Sequence, residues 1–272
     1  MFPPGHYYSP VASLDEVHAR WDQIFATPRV LPEIDLAEAA QLDFVRSLAA
    51  LARDIDVPET PIEGHRYYFD NDFFSFGDGV VLAAILRWLM PRRLVEVGSG
   101  FSSALILDTN DRYLERQLRC TFIEPEPERL LGLLSDADRL DTEIIVSPLQ
   151  DVDLSFVDEL EAGDVLFIDS SHVSKVGSDV NLFVFELLPR LRSGVFVHVH
   201  DIFYPFEYLE VWVEEGRNWN EAYVLRAYLE ANSSYRIRLW NSYLATFHRE
   251  ETSALLPRWG RNTGGSLWLE RV

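Results

Sequence analysis

The chain has 272 residues, 47% of them hydrophobic, which suits one catalytic α/β domain with an N-terminal extension. Its formal net charge of −20, from 24 Lys and Arg against 44 Asp and Glu, argues against a nucleic-acid or anionic-membrane partner, since both reward clustered basic residues. The single cysteine, Cys120, excludes an intramolecular disulfide and a cysteine-based zinc site.

The N-terminal sequence, MFPPGHYYSPV, lacks the basic and apolar regions of a signal peptide. No stretch approaches the roughly 20 apolar residues that a membrane span needs. We therefore expect a cytoplasmic protein.

The first ninety residues predict helices. Ser13 is the predicted N-cap of the helix LDEVHARWDQIF, with Glu16 at the capping-box position. A second helix is predicted over 36–53, followed by a Pro- and aromatic-rich loop over 54–76. The segment GVVLAAILRWLM predicts a third helix, which ends at Pro91.

From residue 93 onward, short apolar strands alternate with helices, which predicts a parallel sheet with crossover helices. The predicted strands are 94–98, 120–125, 142–147, 164–169 and 194–202. Helices are predicted near 101–108, 127–135, 155–161, 178–191 and 219–231. The segments SYRIRLWN (234–241), YLATF (243–247) and the terminal GGSLWLERV then predict a strand hairpin at the end of the sheet.

The strongest local motif is EVGSG, residues 96–100, between a predicted strand and a predicted helix. Glycines there let the backbone turn sharply and let a ligand approach beside a helix N-terminus. A tight turn without any ligand is the alternative interpretation. The dinucleotide-binding pattern G-x-G-x-x-G is incomplete, because Ser103 occupies the third glycine position.

Two further motifs lie at the same predicted edge of the sheet. Glu124 ends the second strand, where a carboxylate can accept hydrogen bonds from both hydroxyls of a ribose. Gln150 and Asp151 follow the third strand. An acidic loop without a ligand is the alternative for Glu124.

These motifs resemble, in order and spacing, those of the class I S-adenosylmethionine-dependent methyltransferases, over about residues 78–272. The resemblance implies a Rossmann-like α/β fold: a mostly parallel seven-stranded sheet with an antiparallel C-terminal strand, preceded by a helical region. Residues 1–76 would form an N-terminal helical cap or extension, and residues 77–272 the catalytic domain.

The same resemblance implies S-adenosylmethionine as the cofactor. Its methionine part would lie among Glu96, Gly98, Ser99 and Gly100. Glu124 would bind the ribose, and Gln150 or Asp151 would lie near the adenine.

Carboxylates and imidazoles follow the fourth and fifth strands. Asp169 and His172 end the fourth, and His200 and Asp201 end the fifth, so their side chains can converge beside the cofactor. His198 lies in the middle of its strand, which favours a buried core histidine. For His200 and Asp201 a functional and a structural role both stay open.

This cluster resembles that of the metal-dependent sugar O-methyltransferases. The resemblance implies a divalent ion on Asp169, His200 and Asp201, with His172 as general base. His200 departs from the pattern, because an acidic residue stands there in the family. An imidazole ligand shifts the preference from Mg²⁺ toward Mn²⁺, Fe²⁺ or Zn²⁺, and it leaves open that no metal binds and that His200 acts as a base or orients Asp201.

The expected reaction is methyl transfer to a hydroxyl of a sugar or natural product. A hydroxyl is a poor nucleophile until its proton leaves, and His172 can accept that proton. The aromatic stretch 203–208 would shape the acceptor pocket or form a lid without substrate contact. The direction in which the side chain of Glu221 points cannot be predicted from the sequence.

Three rival functions remain at this point. They are a dinucleotide-dependent dehydrogenase, a metal enzyme such as a hydroxylase on the same fold, and a non-catalytic cofactor-binding module. The expected partner is a small-molecule methyl acceptor, with no nucleic acid and no membrane. The oligomeric state stays open, a homo-oligomer included.

Overall fold

The computed structural model describes residues 2–230 and 232–272, and a seven-stranded sheet forms its centre. The strands are β1 (Arg93–Val97), β2 (Arg119–Ile123), β3 (Glu143–Ile145), β4 (Val165–Ile168), β5 (Phe196–Val199), β6 (Tyr235–Trp240) and β7 (Leu267–Arg271). Their spatial order is β3-β2-β1-β4-β5-β7-β6. The first five strands are parallel, and β7 is antiparallel to β5 and β6. The predicted fold class is confirmed.

Helices surround the sheet. They are α1 (Leu14–Ala19), α2 (Trp21–Ile24), α3 (Glu38–Arg53), α4 (Phe76–Leu89), α5 (Phe101–Tyr113), α6 (Glu128–Leu133), α7 (Asp136–Asp141), α8 (Asp179–Leu182), α9 (Leu188–Arg190), α10 (Glu210–Glu214), α11 (Glu221–Leu229), α12 (Asn241–Phe247) and α13 (Arg249–Leu255). A π-helical turn, Phe183–Leu187, joins α8 to α9, and 3-10 turns cover Leu149–Asp151, Leu154–Glu159 and Trp259–Arg261. No helix in the described part of the chain is long and apolar enough to cross a membrane.

The central strands are buried on both faces. Every residue of β4 and β5 is buried, as expected for parallel strands with helices on either side. Helix α4 is buried continuously over 76–86, because its sequence is apolar on all sides except at Asp78.

The direction of strand succession reverses at β1. Strand β2 follows β1 on one side, whereas β4 and β5 continue on the other. Where the loops after two neighbouring strands run in opposite directions, a crevice forms at the carboxyl ends of those strands. Open α/β sheets bind ligands in this crevice. The crevice of this chain therefore lies above β1 and β4.

The N-terminal segment shares the core of the sheet. Phe44, Val45 and Leu48 of α3 belong to the same buried cluster as the central strands, and α3 packs against α4 and β6. The predicted boundary after residue 76 stays a prediction.

Two local expectations differ from the structure. Ser13 precedes α1 but makes no capping hydrogen bond through its side chain, and α1 ends at Ala19. The segment 243–247 belongs to α12 instead of a strand, so α12 and α13 separate the two strands of the C-terminal pair. Trp240, Asn241 and Leu244 are all buried there, a spacing that suits a helix leaving the sheet.

Candidate cofactor and acceptor site

The carboxyl ends of the parallel strands open into two adjoining cavities of about 350 Å³ and 460 Å³. They share Gly98, Glu124, Asp169, Ser170 and Ser171. We call them the inner cavity, on the β3 side, and the outer cavity, on the β5 side. A larger cavity of about 660 Å³ lies beside β6, away from these strand ends, and holds none of the predicted site residues.

Gly98 forms the turn that separates the two cavities. Its φ of 83° is a conformation that favours glycine, and an added Cβ would lie 1.7 Å from the carbonyl oxygen of Asp169. The backbone of β1 therefore passes directly against the end of β4. Gly100 precedes α5, beneath the side chain of Arg129, and both glycines line the outer cavity as predicted.

Glu96 lies beneath this turn instead of in the cavities. Its carboxylate accepts hydrogen bonds from Ser102 Oγ at 2.5 Å and from Ser103 Oγ, both in the first turn of α5. Burial, with Asp169 and Glu124 nearby, raises the pKa of Glu96 to about 8. The structure places Glu96 as a support of the turn, and its predicted contact with the methionine part stays a prediction.

Glu124 lines both cavities at the end of β2. It accepts hydrogen bonds from the backbone N–H groups of Ser99 at 2.8 Å and Glu126 at 2.9 Å, which fix the carboxylate at the rim. Ser99 Oγ is buried without a hydrogen-bond partner in the described part of the chain. An orphaned hydroxyl beside a fixed carboxylate fits the polar groups of a nucleoside-containing cofactor.

Gln150 and Asp151 differ in position. Gln150 lines the inner cavity, and its Nε2 donates to the carbonyl oxygen of Gly177 at 3.0 Å. Asp151 is exposed and does not line either cavity. Of the two residues predicted near the adenine, the structure brings Gln150 to the site.

Four predicted residues form the polar floor of the outer cavity: Asp169, His172, His200 and Asp201. His172 Nε2 lies 3.4 Å from Asp169 Oδ1 and 3.9 Å from Asp201 Oδ2. His200 Nε2 lies 3.5 Å from Asp201 Oδ1. The predicted convergence of the ends of β4 and β5 is therefore present.

His172 is held from behind by Glu221, at the start of α11. His172 Nδ1 lies 2.8 Å from Glu221 Oε2, and Trp219 packs on the imidazole with ring centroids 4.4 Å apart. The φ of His172 is 58°, which is rare outside glycine, and its carbonyl oxygen accepts the backbone N–H groups of Asn220 and Glu221. Backbone strain at a residue whose side chain is held in place is typical of functional sites.

Mutual interactions set the charges of the floor. Burial would lower the pKa of His172, but the carboxylates of Asp169 and Glu221 raise it well above its ordinary value. Burial opposes ionisation of Asp169, yet His200 and His172 lower its pKa to about 2. Against burial, Asp201 and Asp169 raise the pKa of His200 to about 8. Burial raises the pKa of Asp201.

The floor does not fit the predicted divalent-metal site at Asp169, His200 and Asp201. Within residues 2–230 and 232–272, no group of three or more His, Cys, Asp or Glu side chains is arranged to hold a metal ion. The two carboxylates of the predicted site both face the imidazole of His172, whose Nε2 lies within 4 Å of each.

His198 is a core residue, as expected. It is fully buried, stacks on Phe167 with centroids 3.8 Å apart, and its Nε2 lies 2.8 Å from Ser266 Oγ. Burial lowers its pKa well below the ordinary value.

Sequence reasoning did not place Glu221 and Trp212. Glu221 is 49 residues from His172 in the chain, and only its position at a helix start after Trp219-Asn220 marks it. The aromatic stretch 203–208 was expected to shape the acceptor pocket or to form a lid without substrate contact, and Tyr204, Phe206 and Tyr208 are buried in the core. Trp212, from α10, lines the outer cavity.

A family model described as "Methyltransferase domain" matches residues 95–202. An uncharacterized protein of Archaeoglobus fulgidus is 36% identical over 167 residues, which cover 59% of this chain and 74% of that protein.

Three solved structures are similar at low identity. A Podospora anserina methyltransferase bound to S-adenosylhomocysteine is 13% identical, with a TM-score of 0.44, and 100% of this chain and 98% of that one are covered. The O-methyltransferase TomG of Streptomyces achromogenes, in complex with S-adenosylmethionine, is 16% identical, with a TM-score of 0.45 and coverages of 94% and 96%. An O-methyltransferase of Bacillus cereus in complex with S-adenosylhomocysteine is 14% identical, with a TM-score of 0.41 and coverages of 94% and 97%.

Proposed function

We propose that this chain, whose residues 95–202 match the family model described as "Methyltransferase domain", is a class I S-adenosylmethionine-dependent methyltransferase that methylates a hydroxyl of a small molecule bound in the outer cavity. One observation carries the proposal: the imidazole of His172, backed by Glu221, faces Asp169 beside the turn at Gly98. An amine acceptor would need no such base, so the polar floor favours oxygen as the nucleophile.

The cofactor supplies an electrophilic methyl group on a sulfonium. In the proposal, Glu124 binds the ribose hydroxyls, and the turn from Gly98 to Gly100 leaves backbone space for the methionine part. Gln150 lies where the adenine edge would reach in the inner cavity. The outer cavity then remains for the acceptor.

His172 and Asp169 divide the work on the acceptor hydroxyl. Asp169 is ionised and lies 3.4 Å from His172 Nε2, so its charge stabilises the imidazolium that forms when the proton is transferred. His172 Nε2 takes the proton, while Glu221 accepts the Nδ1–H and stabilises the imidazolium that forms. The raised pKa of His172 makes it a strong proton acceptor whose free form increases toward alkaline pH. The proposal assigns no step to a divalent metal, because the floor residues do not fit one.

Calorimetric titration with S-adenosylhomocysteine, with and without a chelator, tests the proposal. We expect binding in both cases, and we expect Glu124→Ala to weaken it about tenfold or more through loss of the charge-assisted ribose contact. Glu128→Ala, on α6 outside both cavities, is the matched control and should bind like the wild type. Absence of binding to the wild-type chain would refute the proposed function.

A further inference from the structure

The outer cavity carries two guanidinium groups and several aromatic rings above its polar floor. They belong to Phe73, Arg129, Trp212, Arg217 and Trp219. This basic pair stands out in a chain whose formal net charge is −20. Acidic partners are abundant in this chain, so a guanidinium inside a cavity whose donors are not all taken by carboxylates can bind an anionic ligand.

Arg217 lies beside two indole rings on the α10 side of the cavity. Its Cζ lies 4.5 Å from the centroid of the Trp212 ring and 5.4 Å from that of Trp219. The two indoles contact each other edge-on at 5.2 Å. In the described residues its carboxylate partner is Glu215, whose Oε2 lies 3.0 Å from both Nε and Nη2 of Arg217. Glu215 is half exposed, and such an exposed pair contributes little. The rings therefore position a guanidinium that still has donors for a ligand.

Arg129 occupies a different part of the same cavity. Its Cζ lies 3.9 Å above the ring of Phe73, and its aliphatic chain packs over Gly100. It forms no ion pair within residues 2–230 and 232–272. Gly100 belongs to the turn that would surround the methionine part, so Arg129 can reach the α-carboxylate of the cofactor.

We propose that the methyl acceptor is a planar aromatic molecule that carries an anionic group, such as a carboxylate, in addition to its hydroxyl. The ring lies against Trp212 and Trp219, and the anion binds Arg217. Arg129 binds the carboxylate of the cofactor, so each guanidinium serves one anion. This inference rests on the proposed function and adds the substrate class to it.

The test titrates 4-hydroxybenzoate and the neutral 4-hydroxybenzamide into the full chain saturated with S-adenosylhomocysteine. We expect the benzoate to bind the wild type at least tenfold more tightly than the amide. Arg217→Gln should reduce this preference to threefold or less. Arg226→Gln removes an arginine of α11 that pairs with Glu230 outside both cavities, and it should keep the full preference.

A second variant separates the two anion sites. Arg129→Gln should weaken S-adenosylhomocysteine binding. With S-adenosylhomocysteine at saturating concentration, this variant should still bind 4-hydroxybenzoate more tightly than 4-hydroxybenzamide. Equal affinity for benzoate and amide, a preference that survives Arg217→Gln, or no binding of either probe would overturn the inference. Each of these results, obtained while S-adenosylhomocysteine still binds, leaves the proposed function standing.

Discussion

The two sides of the cleft are built in different ways. The cofactor side is a short continuous segment in which backbone conformation decides the shape, since Gly98 has no room for a Cβ. The polar floor joins side chains from separate elements, the ends of β4 and β5 and the start of α11. From this contrast we expect cofactor binding at the turn to be sensitive to added volume, and turnover to be sensitive to loss of charge on the floor.

Removing a charge from the floor should produce the largest effect. Asp169→Asn keeps the shape of the side chain but removes the negative charge that stabilises the imidazolium of His172. We expect turnover to fall about a thousandfold, on the order of 4 kcal/mol in the barrier, with cofactor affinity within threefold of wild type. Formation of S-adenosylhomocysteine over a panel of hydroxylated compounds measures turnover. Unchanged turnover would remove Asp169 from the chemistry.

A side chain added at the glycine turn should abolish cofactor binding, whereas the change in the floor leaves it nearly intact. Gly98→Ala places a methyl group against the carbonyl oxygen of Asp169, so we expect a loss of about 3 kcal/mol in the free energy of unfolding and no detectable S-adenosylhomocysteine binding. Gly132→Ala is the control, because an added Cβ there meets nothing within 4 Å and alanine favours the helix. Denaturant unfolding and calorimetry measure both variants. Normal cofactor binding by Gly98→Ala would contradict the contrast between the two sides.

The same difference explains what the sequence could predict. The strand order and the glycine turn follow from local patterns, apolar runs alternating with helices and a G-x-G between them. The motif predicted a metal ion on Asp169, His200 and Asp201, but it could not show that the imidazole of His172 faces both carboxylates. Glu221 was not placed, since its contact with His172 spans 49 residues and depends on the path of the chain before α11.

The protonation of Glu96 should make the free energy of unfolding depend on pH. Burial raises its pKa from 4.5 to about 8, so between these values the folded chain keeps a proton on Glu96 that the unfolded chain releases. Stability must then fall as pH rises, by about 2 kcal/mol between pH 6 and pH 7.5. Glu96→Gln should lack this slope, and its amide can accept from one serine hydroxyl and donate to the other. Denaturant unfolding of both proteins at the two pH values measures the difference, and parallel slopes would show that Glu96 is ionised in the fold.

The mildest effect should come from Glu221→Gln, because glutamine can still accept the Nδ1–H of His172 but no longer stabilises the imidazolium with a charge. We expect kcat to fall about tenfold, with the affinity for S-adenosylhomocysteine unchanged, since Glu221 does not line either cavity. Glu250→Gln, on α13, is the control for a lost surface carboxylate. If Glu221→Gln instead lost cofactor binding and kept kcat, the glutamate would support the cleft as a whole, and the proton acceptor would have to be sought at Asp201 or His200.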